Sequence, residues 1–264
     1  MIDIDIIKAK KAFKEYLNTY KDKSHVSFNL KVKHTYHVSE NAKEIATKLD
    51  LNEEDIKLAE LIGLLHDIGR FEEIIVTGEL NSMKFDHAEY GSKILFENNL
   101  IRNFIEENKY DKIIKKAIEN HNKLEIEDGL DEKTLLHCKI IRDADKLDIF
   151  RVKIEADIEA LYPLRVVKIE DMENSVISDK VYESIIHERC VVNSDRVYPL
   201  DFYLNNLAFL FDINFDITFK MLKETNYVNM LIDRFTYKDE KTRNRMVEIK
   251  EKFNNFIDKK LSCV

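Results

Sequence analysis

The chain has 264 residues and a formal net charge of −8, and its 42 Lys and Arg residues form no basic block. Binding along a nucleic-acid polymer needs many clustered cationic side chains to neutralise phosphates. The composition therefore disfavours a nucleic-acid polymer as a partner, but it allows a small phosphorylated ligand in a locally basic pocket. Only five glycines and two prolines are present, and this scarcity of helix-breaking residues predicts long helices joined by short turns.

Several other protein classes are also disfavoured. The three cysteines, Cys138, Cys190 and Cys263, are scattered, and they indicate neither a disulfide framework nor a zinc knuckle. The N-terminal segment MIDIDIIKAKK places acidic residues among its apolar ones and lacks the long apolar region of a signal peptide. No uninterrupted apolar run reaches membrane-spanning length. We expect a soluble, cytoplasmic protein with no membrane partner, and the sequence does not indicate its oligomeric state.

Apolar residues spaced by three or four positions predict the first two helices. One helix covers about residues 2–20, and the polar segment KDKSH at 21–25 ends it. The second covers about residues 30–49. On its apolar face, His34 lies one turn before Val38, so an imidazole occupies a position where a core side chain is expected.

A third helix is predicted to begin after Asn52, which is a typical N-cap residue. It extends to about residue 69 and carries His66 on its apolar face. The segment that follows, residues 70–85, is typical of a loop and is long enough to form the rim of a pocket.

Asp86 is expected to cap the next helix, which continues to about residue 98 and has His87 in its first turn. Two further helices are predicted in the first half of the chain, over about residues 111–121, ending at His121, and 133–159, containing Asp145.

After Pro163 the periodicity weakens. The aromatic residues of this half are expected to lie mainly in the core, because their spacing fits the buried faces of short helices. We predict a single all-α domain with a helical core over about residues 25–160 and a C-terminal helical extension over about residues 161–264, which packs on the core. The helices of the extension are expected near residues 170–189, 200–211, 215–222 and 239–261.

Four histidines and two aspartates share one feature, because each lies in a segment predicted to be a helix or the end of one. A buried imidazole or carboxylate is costly unless it is paired or bound to a cation. Several such residues converging at helix ends indicate a metal centre. The six candidate ligands are His34, His66, Asp67, His87, His121 and Asp145.

The order and local context of these six residues resemble the HD superfamily of metal-dependent phosphohydrolases. The contexts are HTYHVSENA, LLHDIGRFE, DHAEYG, ENHNK and DADKLD, and the resemblance extends from about Lys33 to Phe150. It implies an all-α core in which His34, His66, Asp67 and Asp145 hold one metal ion. Asp67 would bridge to a second ion, which His87 and His121 also hold.

The same resemblance implies a reaction. Two ions about 3.5–4 Å apart can clamp a phosphoryl group and generate a hydroxide near neutral pH. Asp67 and His66 would then lie at the catalytic centre, and no protein nucleophile is needed. The expected substrate is a phosphomonoester or a phosphoanhydride, with a nucleotide as the expected class. The sequence does not decide which of Fe, Mn, Mg, Co, Ni and Zn are the native ions.

Some positions have alternative interpretations. Asp143 and Asp148 compete with Asp145 for the ligand role, and the pattern position favours Asp145. His87 could be a surface residue at a helix start, and His121 could be an imidazolium that interacts with the dipole at a helix C-terminus. If both alternatives held, the site would contain a single ion.

Contacts to a phosphorylated substrate are predicted from residues beside the ligands. Arg70, one turn past Asp67, is the main candidate. His37 lies one turn from His34 on the same helix and is a second candidate. Lys146 follows Asp145 but is expected to face away from the metal, because adjacent residues diverge on a helix. Glu72 and Glu73 could orient a ligand or move a proton, or they could simply be solvated.

Two other functions fit parts of the pattern. Histidine and carboxylate ligands also hold the redox-active diiron centres of oxygenases. Some relatives with this ligand pattern are oxygenases of this kind. A non-catalytic, nucleotide-sensing helical module is the other alternative, with the aromatic residues Phe202, Tyr203, Phe209 and Phe211 as its sensing surface. His25, His137 and His187 match none of the motifs and are predicted to be structural or exposed.

Overall fold

The computed structural model describes residues 4–21, 23, 26–77, 85–162 and 167–262. Within these ranges the regular structure is helical, and no strand is formed. The prediction of an all-α fold is confirmed. The described part of the chain contains helices α1 (Ile6–Asn18), α2 (Val26–Lys48), α3 (Glu53–Leu65), α4 (Arg70–Thr77), α5 (His87–Phe96), α6 (Asp111–Asn120), α7 (Glu132–Glu155), α8 (Ile158–Leu161), α9 (Ile169–Glu173), α10 (Asp179–Ile186), α11 (Pro199–Leu207), α12 (Asp216–Thr225), α13 (Tyr227–Ile232) and α14 (Glu240–Ser262).

The predicted helix starts at Asn52 and Asp86 are confirmed by their capping hydrogen bonds. The Asn52 side chain accepts from the backbone N–H of Asp55 at 3.0 Å. The Asp86 carboxylate accepts from the backbone N–H groups of Ala88 and Glu89 at 3.0 and 3.1 Å. Each cap satisfies donors that the first helical turn leaves without a partner.

The prediction of a loop over residues 70–85 is wrong for its first half. Arg70–Thr77 forms helix α4, because Phe71 and Ile74 both bury their side chains and thereby stabilise an amphipathic turn. Residues 78–84 of the predicted loop lie outside the described residues. The sequence reasoning missed this helix because eight residues are too few for a clear periodic signal.

The second half also differs in detail from the prediction. The helix expected near residues 170–189 is two helices, α9 and α10, with Ser178 as the residue before α10. Helix α13 was not predicted at all. It begins directly after Asn226, which has a positive φ of 55° and turns the chain sharply at the end of α12.

The chain divides into two compact units, residues 1–148 and residues 149–264. Helices α1 to α6 belong to the first unit, and α7 includes the boundary. The prediction of a single domain with a core over about residues 25–160 stays a prediction. All candidate metal ligands belong to the first unit.

In the first unit, α2 and α3 pack closely because glycine stands where they meet. A Cβ atom at Gly63 would lie 2.7 Å from the Cα of Ser39, which no ordinary side chain tolerates. Ser39 also donates a hydrogen bond from its Oγ to the carbonyl of Glu60 at 2.7 Å. The predicted apolar face of α2, including Val38, is buried, so this face and His34 both point inward.

In the second unit, the predicted burial of the aromatic residues is confirmed for some of them. Tyr203 is fully buried and donates from its hydroxyl to the carbonyl of Leu231 at 3.0 Å. Phe211 is half-buried and contacts the rings of Phe253 and Phe256 with centroids 5.3 and 5.0 Å apart. Phe202 is likewise half-buried.

Within the described ranges, the helices are too short or too polar for any one of them to cross a membrane.

His137 makes a buried polar contact between α3 and α7. Its Nε2 lies 3.0 Å from Oδ1 of Asp55, which also pairs with Lys133 at 2.9 Å. The other ring nitrogen, Nδ1, is buried without a hydrogen-bond partner. Burial lowers the pKa of His137 below its ordinary value, although Asp55 opposes the shift. The neutral ring therefore donates to Asp55, and a second proton on Nδ1 would lack an acceptor.

We predict that His137 makes the fold less stable as the pH falls. The unfolded chain binds a proton at this residue near pH 6.5, whereas the folded chain resists protonation, so the free energy of unfolding falls below that pH. Denaturant titrations at about pH 7.5 and about pH 5.5 should show a larger loss for the wild type than for His137→Gln, by at most about 1.4 kcal/mol per pH unit. Equal losses in the two proteins would contradict this role for His137.

Candidate metal centre

His66 and Asp67 lie in the turn between α3 and α4 of the first unit. His66 is the C-cap residue of α3 and is fully buried. Its Nδ1 donates to the carbonyl of Gly63 at 2.7 Å. Because this bond occupies the proton of the neutral ring, Nε2 carries the free lone pair. The ring is thus fixed in the form that can bind a metal ion.

Helix α2 contributes His34, whose two ring nitrogens have different partners. Nδ1 lies 2.6 Å from Oδ2 of Asp148. Nε2 lies 3.1 Å from Oδ1 of Asp145 and 3.5 Å from Oδ2 of Asp67. Two aspartates of α7, Asp145 and Asp148, therefore contact the same imidazole. Asp145 lies on the ligand side, and Asp148 orients the ring from the other side.

His87 reaches the site because two glycines let α5 approach the turn that carries Asp67. A Cβ atom at Gly69 would lie 2.2 Å from the carbonyl oxygen of His87 and 2.8 Å from the backbone nitrogen of Gly91. This close approach places the first turn of α5 against the turn at the end of α3. His87 is 5% exposed, so the interpretation of His87 as a surface residue is wrong.

His121 follows the last residue of α6, and its Nδ1 donates to the carbonyl of Ile118 at 2.7 Å. Arg142 of α7 fixes the chain on both sides of it. The Arg142 guanidinium, which is buried, donates to the carbonyls of Asn120 and Leu124 at 2.9 and 3.0 Å. His121 is 6% exposed, and its Nε2 faces the interior.

The two carboxylate oxygens of Asp67 face two different groups of residues. Oδ2 lies 3.2 Å from Nε2 of His66 and 3.5 Å from Nε2 of His34. Oδ1 lies 3.4 Å from Nε2 of His87 and 3.5 Å from Nε2 of His121. The structure thus brings all six predicted ligands together, with Asp67 between the two groups.

The unsatisfied polar atoms show that these residues fit a metal. Nε2 of His34, Nε2 of His66 and Oδ1 of Asp67 are buried and have no hydrogen-bond partner. Buried polar atoms are normally satisfied, so three such atoms in one cluster fit the binding of a cation. Imidazole nitrogen and carboxylate oxygen together suit divalent transition metals. Two subsets have donor atoms close enough for one ion, namely His34 with His66 and Asp145, and His66 with Asp67 and His121.

The protonation states agree with this interpretation for most of the residues. Burial lowers the pKa of His66. Burial and the neighbouring charge of Arg70 together bring the pKa of His87 well below its usual range. Burial opposes ionisation of Asp67, but the neighbouring Lys31 and His66 keep its pKa low. His66 and His87 are therefore neutral and Asp67 is ionised, which are the forms that bind metals.

His34 differs in its protonation. Burial and Lys31 both lower its pKa, but the neighbouring carboxylates of Asp145, Asp148 and Asp67 outweigh them and raise the pKa to about 10. Three carboxylates thus require a positive charge at this imidazole. A proton supplies that charge in the metal-free protein, and a bound metal ion would replace the proton.

The sequence reasoning missed Lys31 and Arg142. Lys31 precedes His34 by one helical turn, and its ammonium contacts Oδ2 of Asp67. A cation one turn before a candidate ligand was a visible signal for Lys31. Arg142 precedes Asp145 by the same spacing, but its backbone contacts depend on how α6 and α7 pack, which spacing along the chain does not indicate.

The predicted substrate residues lie in different surroundings. The Nε of Arg70 lies 3.5 Å from Oδ1 of Asp67, and its Nη1 donates to the buried carboxylate of Glu73 at 2.6 Å. His37 is half-buried on α2 and belongs to neither group of potential metal ligands. Lys146 is buried and donates to the carbonyl of Arg142 at 3.3 Å.

His137 and His187 have partners other than the candidate ligands. His137 contacts Asp55, and His187 is exposed at the end of α10, where its Nδ1 donates to the carbonyl of Glu183. His25 lies outside the described residues.

Comparison with known families places this site in context. Residues 32–149 match the HD domain family, and this range contains all six candidate ligands. Neither the curated proteins nor the solved structures yielded a match.

We predict that the intact site holds about two metal ions per chain and that His87→Ala holds about one, because His87 lies on the Oδ1 side of Asp67 only. Elemental analysis of protein purified without chelator measures the ratio. His187→Ala is the matched control, since His187 is exposed and distant in sequence from the site, and it should retain the wild-type content. One ion in both the wild type and His87→Ala would rule out a two-ion site that depends on His87.

Loss of the Asp148 carboxylate should weaken metal binding without removing a ligand. Asp148→Asn keeps the size of the side chain but removes the charge that orients His34, and we expect the affinity to fall by about 10–100-fold. Calorimetric titration of metal-free protein measures this change. Asp128→Asn, a substitution in an exposed turn, should bind as the wild type does. An unchanged affinity in Asp148→Asn would show that Asp148 does not support His34.

Proposed function

Because residues 32–149 of this chain match the HD domain family, we propose that the protein is a metal-dependent phosphohydrolase. The reaction we propose is cleavage of a phosphomonoester or a phosphoanhydride, with a nucleotide as the substrate class. The observation that carries this proposal is the position of Asp67, whose two oxygens each face a separate set of imidazoles within 3.5 Å. That arrangement suits a carboxylate that bridges two ions.

The residues that would hold the ions are His34, His66, Asp67 and Asp145 on one side and Asp67, His87 and His121 on the other. When bound, divalent ions at such a site polarise a phosphoryl group and supply a water molecule of lowered pKa. The protein's contribution is to present these donors in a buried cluster, with most of the rings fixed by hydrogen bonds to their other nitrogen. Little reorganisation is then needed when an ion or a substrate binds.

Arg70 is the proposed contact to the phosphoryl group. Its guanidinium is mostly buried, and Glu73 holds one edge of it through Nη1. The Nε faces Asp67 and makes no hydrogen bond. A planar guanidinium beside the proposed ion site, with its Nε not hydrogen-bonded, suits phosphate recognition.

Lys31 adds a second positive charge at the bridging carboxylate. With Arg70 it places two cationic side chains beside the ligand cluster, although the chain as a whole is acidic. Cationic side chains beside divalent ions favour a small anionic substrate. We therefore propose a small phosphorylated molecule, and neither a membrane nor a nucleic-acid polymer, as the partner.

A panel of nucleotides and phosphate esters, assayed with each of the candidate divalent metals, tests this function. We expect release of inorganic phosphate or pyrophosphate from at least one compound. Asp67→Asn should lower this activity by at least about 100-fold, since it removes a shared ligand rather than a residue that supports one. Asp128→Asn is the control and should keep wild-type activity.

Two results would contradict the proposal. One is metal-loaded protein that hydrolyses no compound of the panel. The other is activity that survives in Asp67→Asn. A visible absorption band of an iron-loaded sample that changes with oxygen or reductant would instead favour the oxygenase alternative, and tight nucleotide binding without turnover would favour a sensing module.

A further inference from the structure

A cleft separate from the metal ligands lies between α1, α4 and α5. Its volume is about 670 Å³, and it is lined by residues that include Tyr16, Tyr20, Glu72, Tyr90 and Asn98. None of the six candidate metal ligands lines it, and neither does Arg70. The cleft uses the opposite face of α4 from Arg70 and Glu73, because Glu72 and Ile75 are the α4 residues that reach it.

The hydroxyl groups of Tyr16 and Tyr20 in this cleft have too few hydrogens for their acceptors. Tyr16 and Tyr20 have their hydroxyl oxygens 2.6 Å apart. Tyr16 also donates to the carbonyl of Ile68 at 3.2 Å, and Tyr20 lies 3.4 Å from Oε2 of Glu72. Two phenols supply two hydrogens, but the acceptors are one phenol oxygen, one carbonyl and one carboxylate.

The carboxylate of Glu72 is the acceptor left with the weakest bond. Its 3.4 Å contact is well beyond the usual length of an O–H···O hydrogen bond. Among the described residues, no Lys, Arg or His nitrogen pairs with Glu72 at 4.0 Å or less. Lys21, which also lines the cleft, is exposed at its outer end, where water screens its charge. A half-buried carboxylate in an aromatic cleft thus lacks a cationic donor.

The walls of the cleft suit the body of such a donor. Three tyrosines line it, and Tyr16 and Tyr20 contact each other edge to face with centroids 5.5 Å apart. Ile75 and Ile94 complete an apolar lining. Aromatic faces attract cations, most strongly where water is partly excluded, and the aliphatic side chains cover the apolar part of a ligand.

We propose that this cleft binds a small organic cation, a protonated amine on an apolar or aromatic body, with Glu72 as its counter-ion. The amine donates to Glu72 and to the Tyr20 oxygen, which supplies the missing hydrogens. The site also contacts the turn that carries Asp67, because Tyr16 donates to Ile68, the residue after Asp67. Ligand binding here requires no metal and does not depend on the proposed hydrolysis.

Three probes of similar size separate charge from shape: benzylamine, which is cationic at neutral pH, benzyl alcohol and benzoate. Binding to the full chain without added metal is measured by ligand-observed NMR and by calorimetry. We expect benzylamine to bind at least about tenfold more tightly than benzyl alcohol, the size of effect expected for one charge-assisted contact. Benzoate should bind more weakly than either.

Variants locate the binding site. Glu72→Gln should remove the preference for benzylamine over benzyl alcohol. The matched control is Glu89→Gln on α5, which lies outside the cleft and pairs with Lys93, and it should keep the preference. Tyr90→Leu should weaken benzylamine binding, whereas Tyr90→Phe, which keeps the aromatic face, should not.

The proposal is overturned if benzyl alcohol binds as tightly as benzylamine, if benzoate binds best, or if Glu72→Gln retains the preference. Each variant is checked by its thermal unfolding transition. If a variant at Glu72 does not fold, the comparison of Tyr90→Leu with Tyr90→Phe decides in its place.

Discussion

The carboxylate of Asp67 is buried where the ends of several helices meet, and its burial imposes the main constraint on the first unit. An isolated buried carboxylate would be strongly unfavourable. Here Lys31, Arg70 and four imidazoles surround it. The surrounding helices must therefore hold these groups close to the carboxylate, and the packing of the unit brings them there.

Glycine and backbone carbonyls meet this constraint. Gly63 lets α2 approach α3, and Gly69 with Gly91 lets α5 approach the turn at Asp67. Carbonyl groups near the ends of α3 and α6 accept the Nδ1 protons of His66 and His121. The same helix ends that lack internal hydrogen-bond partners thus fix the imidazoles, and the Nε2 atoms are left to face the interior.

The turn at Asp67 also connects two faces of the first unit. On one face Arg70 and Glu73 of α4 lie beside the candidate metal ligands. On the other face Glu72 and Ile75 of α4 line the tyrosine cleft. Because α4 is a single short helix, residues only a few positions apart contact the candidate metal ligands on one face and line the tyrosine cleft on the other. The second unit, by contrast, shows an aromatic core around Tyr203 and Phe253 and none of the grouped metal ligands of the described chain.

The sequence by itself determined the all-α fold, the capping residues Asn52 and Asp86, and the identity of the residues that converge around Asp67. These properties depend on spacing within one helix or on a residue's local context, so a single sequence shows them. Only the tertiary structure decided which oxygen of Asp67 faces which imidazole, that Asp148 supports His34 from 114 positions away, and that Lys31 reaches the carboxylate. The helix at Arg70–Thr77 was also hidden, because its stability comes from burying Phe71 and Ile74 against other helices rather than from a long periodic pattern.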